Sequence, residues 1–124
     1  MRGVSPFVWI GAAGAAGAIA RYGVGVAFGT RSFPWATLGI NVLGSFLLGA
    51  VLTLGALRGW SDHVILPLGT GFLGAFTTFS TFSYETQLLL RMGRPGAAAI
   101  YVITSLIGGV IAAFGGHGLA RLLA

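Results

Sequence analysis

Four long apolar stretches, separated by short polar breaks, make up almost the whole chain. The breaks fall at Arg31, between Arg58 and Asp62, and from Arg91 to Pro95. A helix needs about 20 predominantly apolar residues to cross a bilayer. The pattern therefore predicts four transmembrane helices, at about residues 4–28, 33–57, 63–90 and 95–122.

The connections between these stretches are short, so neighbouring helices are expected to pack antiparallel.

Of the 124 residues, 56% are hydrophobic and only 7% are charged, against roughly 25% charged in an ordinary soluble domain. This excludes a soluble globular protein, and the apolar content excludes a disordered one. We expect an all-α membrane protein in which residues 1–124 form a single four-helix domain of a multi-pass cell-membrane protein.

The charged and small residues narrow the class further. The net charge of +5 comes from seven scattered arginines, whereas nucleic-acid binders cluster their charge on one face. We therefore expect the partner to be the lipid bilayer and no nucleic acid. The 22 glycines favour close helix packing in lipid. The chain has no cysteine, and no nucleophile–base pair, phosphate loop or metal-ligand cluster is apparent, so an enzyme is not expected.

The arginines are almost evenly divided between the two sides of the membrane. With four spans, the termini and the 57–62 loop share one side, which carries Arg2, Arg58 and Arg121, while Arg31, Arg91 and Arg94 lie opposite, with Arg21 near them. A bias in such charges sets orientation, and here it is nearly absent. The balance predicts insertion in both orientations, unless the first helix or another signal decides. Two orientations favour an antiparallel homodimer, the simplest closed form.

The third stretch is unusually polar for a transmembrane helix. Gly71 and Gly74 weaken it, and residues of poor helix propensity follow, about halfway across the membrane. A break there would expose carbonyl oxygens to a cation and amides to an anion, and is tolerated only where protein or a water-filled cavity satisfies the backbone. Alternatively the helix is intact and its hydroxyls bond to carbonyls four residues earlier. The residues alone leave both interpretations open.

Two stripes follow the helical repeat in this stretch. One is aromatic (Phe72, Phe76, Phe79 and Phe82) and the other is polar (Thr78, Thr81 and Glu85). An aromatic stripe usually serves packing, but an electropositive ring edge beside hydroxyl donors can also face a small anion. Glu85 is interpreted as pairing with Arg21 or Arg91 rather than as a proton relay.

The second and fourth helices each add a polar face. The second carries Thr37, Asn41 and Ser45 at intervals of four, and the fourth carries Tyr101 and Ser105, extended by Gly108 and Gly109. Asn41 is either an interhelical hydrogen-bonding group, worth roughly 0.6–2 kcal/mol, or a donor on an anion pathway. Three polar faces together are what a narrow pore requires.

Two segments, Asn41–Phe46 and Gly71–Phe82, resemble the Fluc (CrcB) family of fluoride channels. The resemblance extends over chain length, helix number, the Gly-Ala-rich first helix with Arg21-Tyr22, and the Tyr101/Ser105 pair. It implies a dual-topology antiparallel homodimer with two fluoride pores and a third helix broken mid-membrane. It also implies a structural Na⁺ at the dimer centre, and passive fluoride export that confers resistance to fluoride toxicity.

The resemblance assigns roles by motif position. Backbone carbonyls of Gly74 and Thr77 from both subunits would hold Na⁺. The fluoride pore would be formed by Asn41, Phe79, Phe82, Thr81, Tyr101 and Ser105, and Arg21, Thr37 and Glu85 would be vestibule or structural residues. A further hydroxyl that some members place one turn beyond Ser105 falls here at Gly109.

Two other functions share part of this pattern. A proton-coupled small multidrug transporter shares four helices and dual topology, but it needs a membrane-embedded carboxylate in the first helix, and this first helix has none. A purely structural membrane subunit has no reason to keep the seven hydroxyls between Thr70 and Tyr84. A fluoride channel is the leading prediction.

Overall fold

The structure, a computed structural model, describes residues 3–124, and Arg2 of the charge balance lies outside this range. The described part is helical and contains no strand. The helices are α1 (Pro6–Phe28), α2 (Trp35–Arg58), α3 (Asp62–Ile65), α4 (Gly74–Phe76), α5 (Phe79–Arg91) and α6 (Pro95–Leu123), and a π-helical segment (Leu66–Leu73) joins α3 to α4.

Four helical stretches are long and apolar enough to cross a membrane. They are α1, α2, the composite stretch Asp62–Arg91 and α6. This confirms the prediction of an all-α chain with four spans, and the protein is a multi-pass membrane protein.

Glycines with positive φ turn the chain between these stretches. Gly29 (φ 65°) ends α1, Gly59 (φ 64°) ends α2, and Gly93 (φ 70°) lies between α5 and α6. An L-residue with a side chain adopts this conformation only at a cost, whereas glycine does not. The breaks in hydropathy are therefore also points where the backbone itself reverses.

Glycine also lets two pairs of helices approach with almost no side chain between them. A Cβ on Gly116 of α6 would collide with the carbonyl of Phe46 in α2, and one on Gly49 would collide with the carbonyl of Ala113. A Cβ on Gly17 of α1 would likewise collide with the carbonyl of Phe72 in the π-helical segment. This is how small residues bring helices together in lipid.

A small buried cluster between α5 and α6 supports the polar residues. It consists of Phe82, Leu89, Ala98 and Tyr101. Phe33, which precedes α2, and Leu38 in the first turns of α2 pack against it. Many other large apolar side chains, such as Phe114 and Leu122, are exposed on the single chain, as expected of surfaces that face lipid or another helix.

Candidate functional site

The third span is interrupted between α4 and α5. Thr77 (φ −81°, ψ 158°) and Thr78 (φ −153°, ψ 116°) have extended backbone. The resemblance implies a broken third helix with its cation-binding carbonyls at Gly74 and Thr77, but Gly74 itself is helical (φ −62°, ψ −35°). The helix continues past the glycine because both the amide and the hydroxyl of Thr77 still donate to the carbonyl of Leu73, at 3.1 and 2.9 Å.

Thr78 then begins the next helix as its N-cap. Its Oγ1 accepts a hydrogen bond from the amide of Thr81 (3.2 Å) and donates to Oγ1 of Thr81 (3.0 Å). A hydroxyl residue at this position satisfies one of the amides that the first turn of a helix leaves free. A residue of the interruption itself therefore caps the helix that follows on its C-terminal side.

Asn41 in α2 satisfies the backbone of Thr78. Its Nδ2 donates to the Thr78 carbonyl (3.0 Å), and the Thr78 amide donates to its Oδ1 (2.8 Å). Of the two sequence-based interpretations, the interhelical hydrogen bond is therefore present. The Asn41 amide nitrogen carries two hydrogens. One of them bonds to Thr78, so the other remains for another acceptor.

The interruption frees the two carbonyls that the resemblance assigns to a cation. In a continuous α-helix the amide of residue i donates to the carbonyl of residue i−4. Here the Thr78 amide donates to Asn41 and the Thr81 amide donates to the Thr78 hydroxyl. The carbonyls of Gly74 and Thr77 thereby lose their helical donors. Gly74 is exposed on the chain and Thr77 is half-buried.

The backbone oxygens of Gly74 and Thr77 are chemically suited to a cation. Residues 3–124 contain no group of three or more His, Cys, Asp or Glu side chains able to hold a metal ion. Neutral carbonyl oxygens are hard ligands that suit hard cations.

Glu85 is held by two hydroxyl groups. Oγ1 of Thr37 donates to its Oε1 (2.8 Å), and the hydroxyl of Tyr101, which is fully buried, donates to its Oε2 (2.7 Å). The expected pairing of Glu85 with Arg21 or Arg91 is wrong for the described chain, because the carboxylate faces donors on α2 and α6. Arg21 instead donates from Nε to the carbonyl of Ala75 (3.0 Å).

An open cavity of about 960 Å³ lies beside these groups, towards the loop between α1 and α2. The polar side chains that line it include Arg21, Thr37, Thr78, Thr81 and Glu85. The predicted polar stripe of the third span therefore faces one open cavity, together with Thr37 of α2.

The aromatic stripe is divided by the interruption. Phe72 stacks on Phe76 before it, and Phe79 contacts Phe82 after it, with ring centroids 6.0 and 5.7 Å apart. Phe82 is buried, 5.2 Å from the ring of Tyr101. Phe79 is 75% exposed, so the two phenylalanines that the resemblance pairs at a pore lie in different environments on the single chain.

Ser105 and Gly109 lie further along α6. The Ser105 hydroxyl is buried without a hydrogen-bond partner in the described structure. A Cβ on Gly109 would lie 3.5 Å from Oγ of Ser45, which itself donates to the Asn41 carbonyl (2.7 Å). The hydroxyl of Ser45 therefore occupies the level at which α6 lacks one.

Three features were missed from the sequence. The sequence places Thr78 on the polar stripe but not at a helix cap, although a threonine immediately before an apolar residue of the helical repeat, here Phe79, is a common helix start. The contact between Arg21 and Ala75 and the π-helical segment Leu66–Leu73 have no signal in the sequence. The segment is seen only in its hydrogen bonds, where the Gly74 amide donates to Gly69, five residues earlier.

Comparison with known proteins places the whole chain in one family. The model of the CrcB-like protein, Camphor Resistance (CrcB) family matches residues 8–117. A fluoride-specific ion channel FluC of Thermus thermophilus is 42% identical over 125 residues, covering 98% of both chains. Proteins of the same name from Acidobacterium capsulatum and Chlorobaculum tepidum are each 47% identical. They cover 86% and 91% of this chain, and 88% and 92% of their own. The resemblance seen in the sequence is confirmed, and the chain belongs to the CrcB family.

Proposed function

We propose that this protein is a fluoride-selective channel that lets fluoride leave the cell passively. The observation that carries the proposal is the full-length similarity to relatives that are named fluoride-specific ion channels, at 42–47% identity. The proposed benefit follows from weak-acid chemistry. Neutral HF crosses membranes and ionises inside, and a passive pore allows the membrane potential to drive the anion out.

Free hydrogen-bond donors support an anion pathway. Moving a small ion into a low-dielectric medium costs on the order of 20 kcal/mol in an idealised Born estimate, so a pore must replace the water that fluoride loses. The second Nδ2 hydrogen of Asn41 and the unpartnered hydroxyl of Ser105 are available for this. We propose that the pathway runs from the cavity past Thr81 and Asn41 to Tyr101 and Ser105, with ring edges of Phe82 and Phe79 against the ion.

We further propose that two chains assemble as an antiparallel homodimer. The balanced arginines favour both orientations. Phe79, at 75% exposure, and Gly74, also exposed, lie on the outer surface beside the interruption. A second chain in the opposite orientation would cover them and would place the two interruptions together on the symmetry axis.

A structural Na⁺ at that axis completes the proposal. The Gly74 and Thr77 carbonyls have lost their helical donors, and two chains would supply four such oxygens. Four neutral oxygens without a carboxylate suit a monovalent ion better than Ca²⁺. Bound Na⁺ would neutralise the unpaired oxygens, each of which costs several kcal/mol in hydrocarbon, and it need not move with fluoride.

The transporter alternative is not favoured. Helix α1 (Pro6–Phe28) contains no acidic residue. The third span begins at the exposed Asp62, and Glu85, the one carboxylate in the interior of the described spans, has both oxygens bound by hydroxyls.

Flux from liposomes tests the function directly. Purified protein is reconstituted with internal potassium fluoride, valinomycin is added to allow K⁺ to leave, and external fluoride is followed with a fluoride electrode. We expect rapid fluoride efflux and, in matched vesicles loaded with chloride, efflux slower by orders of magnitude. Fluoride release no faster than from protein-free vesicles, or equal chloride release, would rule out the proposed channel.

A further inference from the structure

The carbonyl of Ala75 in α4 accepts its hydrogen bond from a different helix. In a continuous α-helix its donor would be the amide of Phe79, four residues later, but the extended Thr77 and Thr78 lie between them. Nε of Arg21, a half-buried residue of α1, donates to this carbonyl at 3.0 Å. Arg21 thus supplies the bond that the interruption removes.

Helix α1 reaches Ala75 because it lies against the third span through glycines. The Gly17 backbone, one turn before Arg21, touches the Phe72 carbonyl, and Gly71 lies against Ile10 at the point where a Cβ would be 2.8 Å from the Ile10 carbonyl. This close approach allows Arg21 to use Nε, the nitrogen nearest its backbone. Arg21 also lines the cavity.

Helix α2 holds the other side of the interruption. Asn41 makes two hydrogen bonds to the backbone of Thr78. Two neighbouring helices therefore fix the last turn of α4 and the first residue of α5 separately. The Gly74 and Thr77 carbonyls, which have lost their own donors, flank the carbonyl that Arg21 occupies.

We propose that Arg21 is a positioning residue that acts through its Nε–H rather than through its charge. It caps α4 at Ala75 and, with Asn41, keeps the Gly74 and Thr77 carbonyls in the arrangement that binds the cation. The role of these two carbonyls rests on the proposed function. The competing role for Arg21 is to attract anions to the cavity, and that role requires only the positive charge.

Three substitutions separate the donor from the charge. Arg21→Gln places an amide N–H at the same distance along the side chain as Nε, without charge. Arg21→Lys keeps the charge but has a methylene at that position. Arg21→Met has neither donor nor charge. The full-length protein is reconstituted in bilayers and measured in two ways. One is deuterium exchange of the amides in residues 74–82, and the other is fluoride efflux with its dependence on Na⁺ concentration.

We expect Arg21→Gln to keep the slow amide exchange and the Na⁺ dependence of the wild type. Its efflux should fall by no more than about threefold, as for loss of a screened charge. Arg21→Lys and Arg21→Met should exchange faster across 74–82, need more Na⁺, and lose at least about tenfold in efflux, because small displacements of binding atoms are costly.

The opposite ranking, with Arg21→Lys like the wild type and Arg21→Gln like Arg21→Met, would assign the role to charge and overturn the proposal. Unchanged exchange in all three variants would also overturn it. The exchange measurement does not depend on transport. If the wild type carries no fluoride, the channel proposal fails, and the exchange ranking still decides whether Arg21 caps α4.

Discussion

At the scale of single residues, Thr78 organises the centre of the third span. Its hydroxyl caps α5 through Thr81, and its amide and carbonyl are both bonded by Asn41. Thr77, its neighbour, makes the last helical bond, to the carbonyl of Leu73, before the backbone becomes extended. Adjacent threonines therefore terminate one helix and begin the next, and their local chemistry creates the unpaired carbonyls around them.

Replacing Asn41 tests the link between this backbone and transport. Asn41→Leu leaves the amide and carbonyl of Thr78 without partners, which costs about 1–3 kcal/mol for each buried group. Asn41→Asp puts a negative charge beside the proposed path. Both should abolish fluoride efflux while the dimer persists in size-exclusion chromatography. Ser83→Ala removes an exposed hydroxyl that bonds only to Phe79 in its own helix and should behave as the wild type. If efflux from both Asn41 variants stays within a few fold of the wild-type rate, Asn41 serves only to hold two helices together.

The two phenylalanines of α5 test the aromatic contacts. Phe79→Ile and Phe82→Ile keep apolar bulk but lose the electropositive ring edge. We expect at least one of them to reduce efflux at least about tenfold. Phe→Tyr or Phe→Met at the same position should be better tolerated, because tyrosine keeps an electropositive ring edge and methionine has a polarisable thioether. If both Ile variants show the same efflux as the wild type, the two phenylalanine rings have only a packing role.

At the scale of helices, contacts between backbones set the architecture. Gly17 against Phe72, and Gly116 against Phe46, bring helices so close that no Cβ fits. Apolar side chains do not drive such contacts in lipid, because lipid is equally apolar, so small residues that permit close packing are needed. The π-helical segment Leu66–Leu73 is the element that α1 contacts most closely.

A pair of glycines in α1 tests this packing. In Gly17→Ala the new methyl collides with the Phe72 carbonyl, and we expect a loss of about 1–3 kcal/mol, as in other overpacked sites. In Gly11→Ala the Cβ meets nothing within 4 Å, so stability should hold or rise by up to about 1 kcal/mol through helix propensity. Thermal unfolding in detergent, followed by circular dichroism, compares them. Equal midpoints for the two variants would contradict the proposed role of Gly17.

At the scale of the whole molecule, an apolar side chain and a stretch of backbone near the site are exposed on the single chain. Phe79 and Gly74 are exposed beside a group of polar residues that are half-buried or buried. In the proposed dimer these surfaces meet their counterparts, and both the pores and the cation site are completed only by the second chain.

Charge added to one loop tests the orientation of the two chains. Two extra arginines in the 57–62 loop should fix one orientation, since cytoplasmic loops retain positive charge. The variant should export fluoride only when co-expressed with one of opposite bias, measured as growth of a fluoride-sensitive host. Full activity from a single fixed-orientation species would exclude the antiparallel dimer.

Removal of Na⁺ tests the cation at the dimer centre. Four converging carbonyls without a cation repel one another, so exhaustive exchange of Na⁺ for a large organic cation should lower dimer stability and efflux together. Efflux in the presence of Na⁺ should show no Na⁺ stoichiometry, measured by parallel ion fluxes. Unchanged stability and efflux after complete removal, with no anomalous density at the axis, would dismiss the site.

Hydropathy alone determined the four spans and the membrane class, because crossing a bilayer depends on the summed apolarity of about 20 consecutive residues. The sequence also identified the third stretch as the polar one, and its motif identified the family. These properties are local or additive along the chain, so they require no knowledge of which helices touch.

Only the tertiary structure decided how the third span is interrupted. The bonds that replace helical ones come from Asn41, 37 residues from Thr78, and from Arg21, 54 residues from Ala75. Within and beside the predicted Gly74–Thr77 region, the extended residues are Thr77 and Thr78, while Gly74 stays helical. Glu85 meets hydroxyl donors on α2 and α6. A backbone leaves the helix where other elements satisfy its polar groups, and those partners are set by packing rather than by neighbouring residues in the sequence.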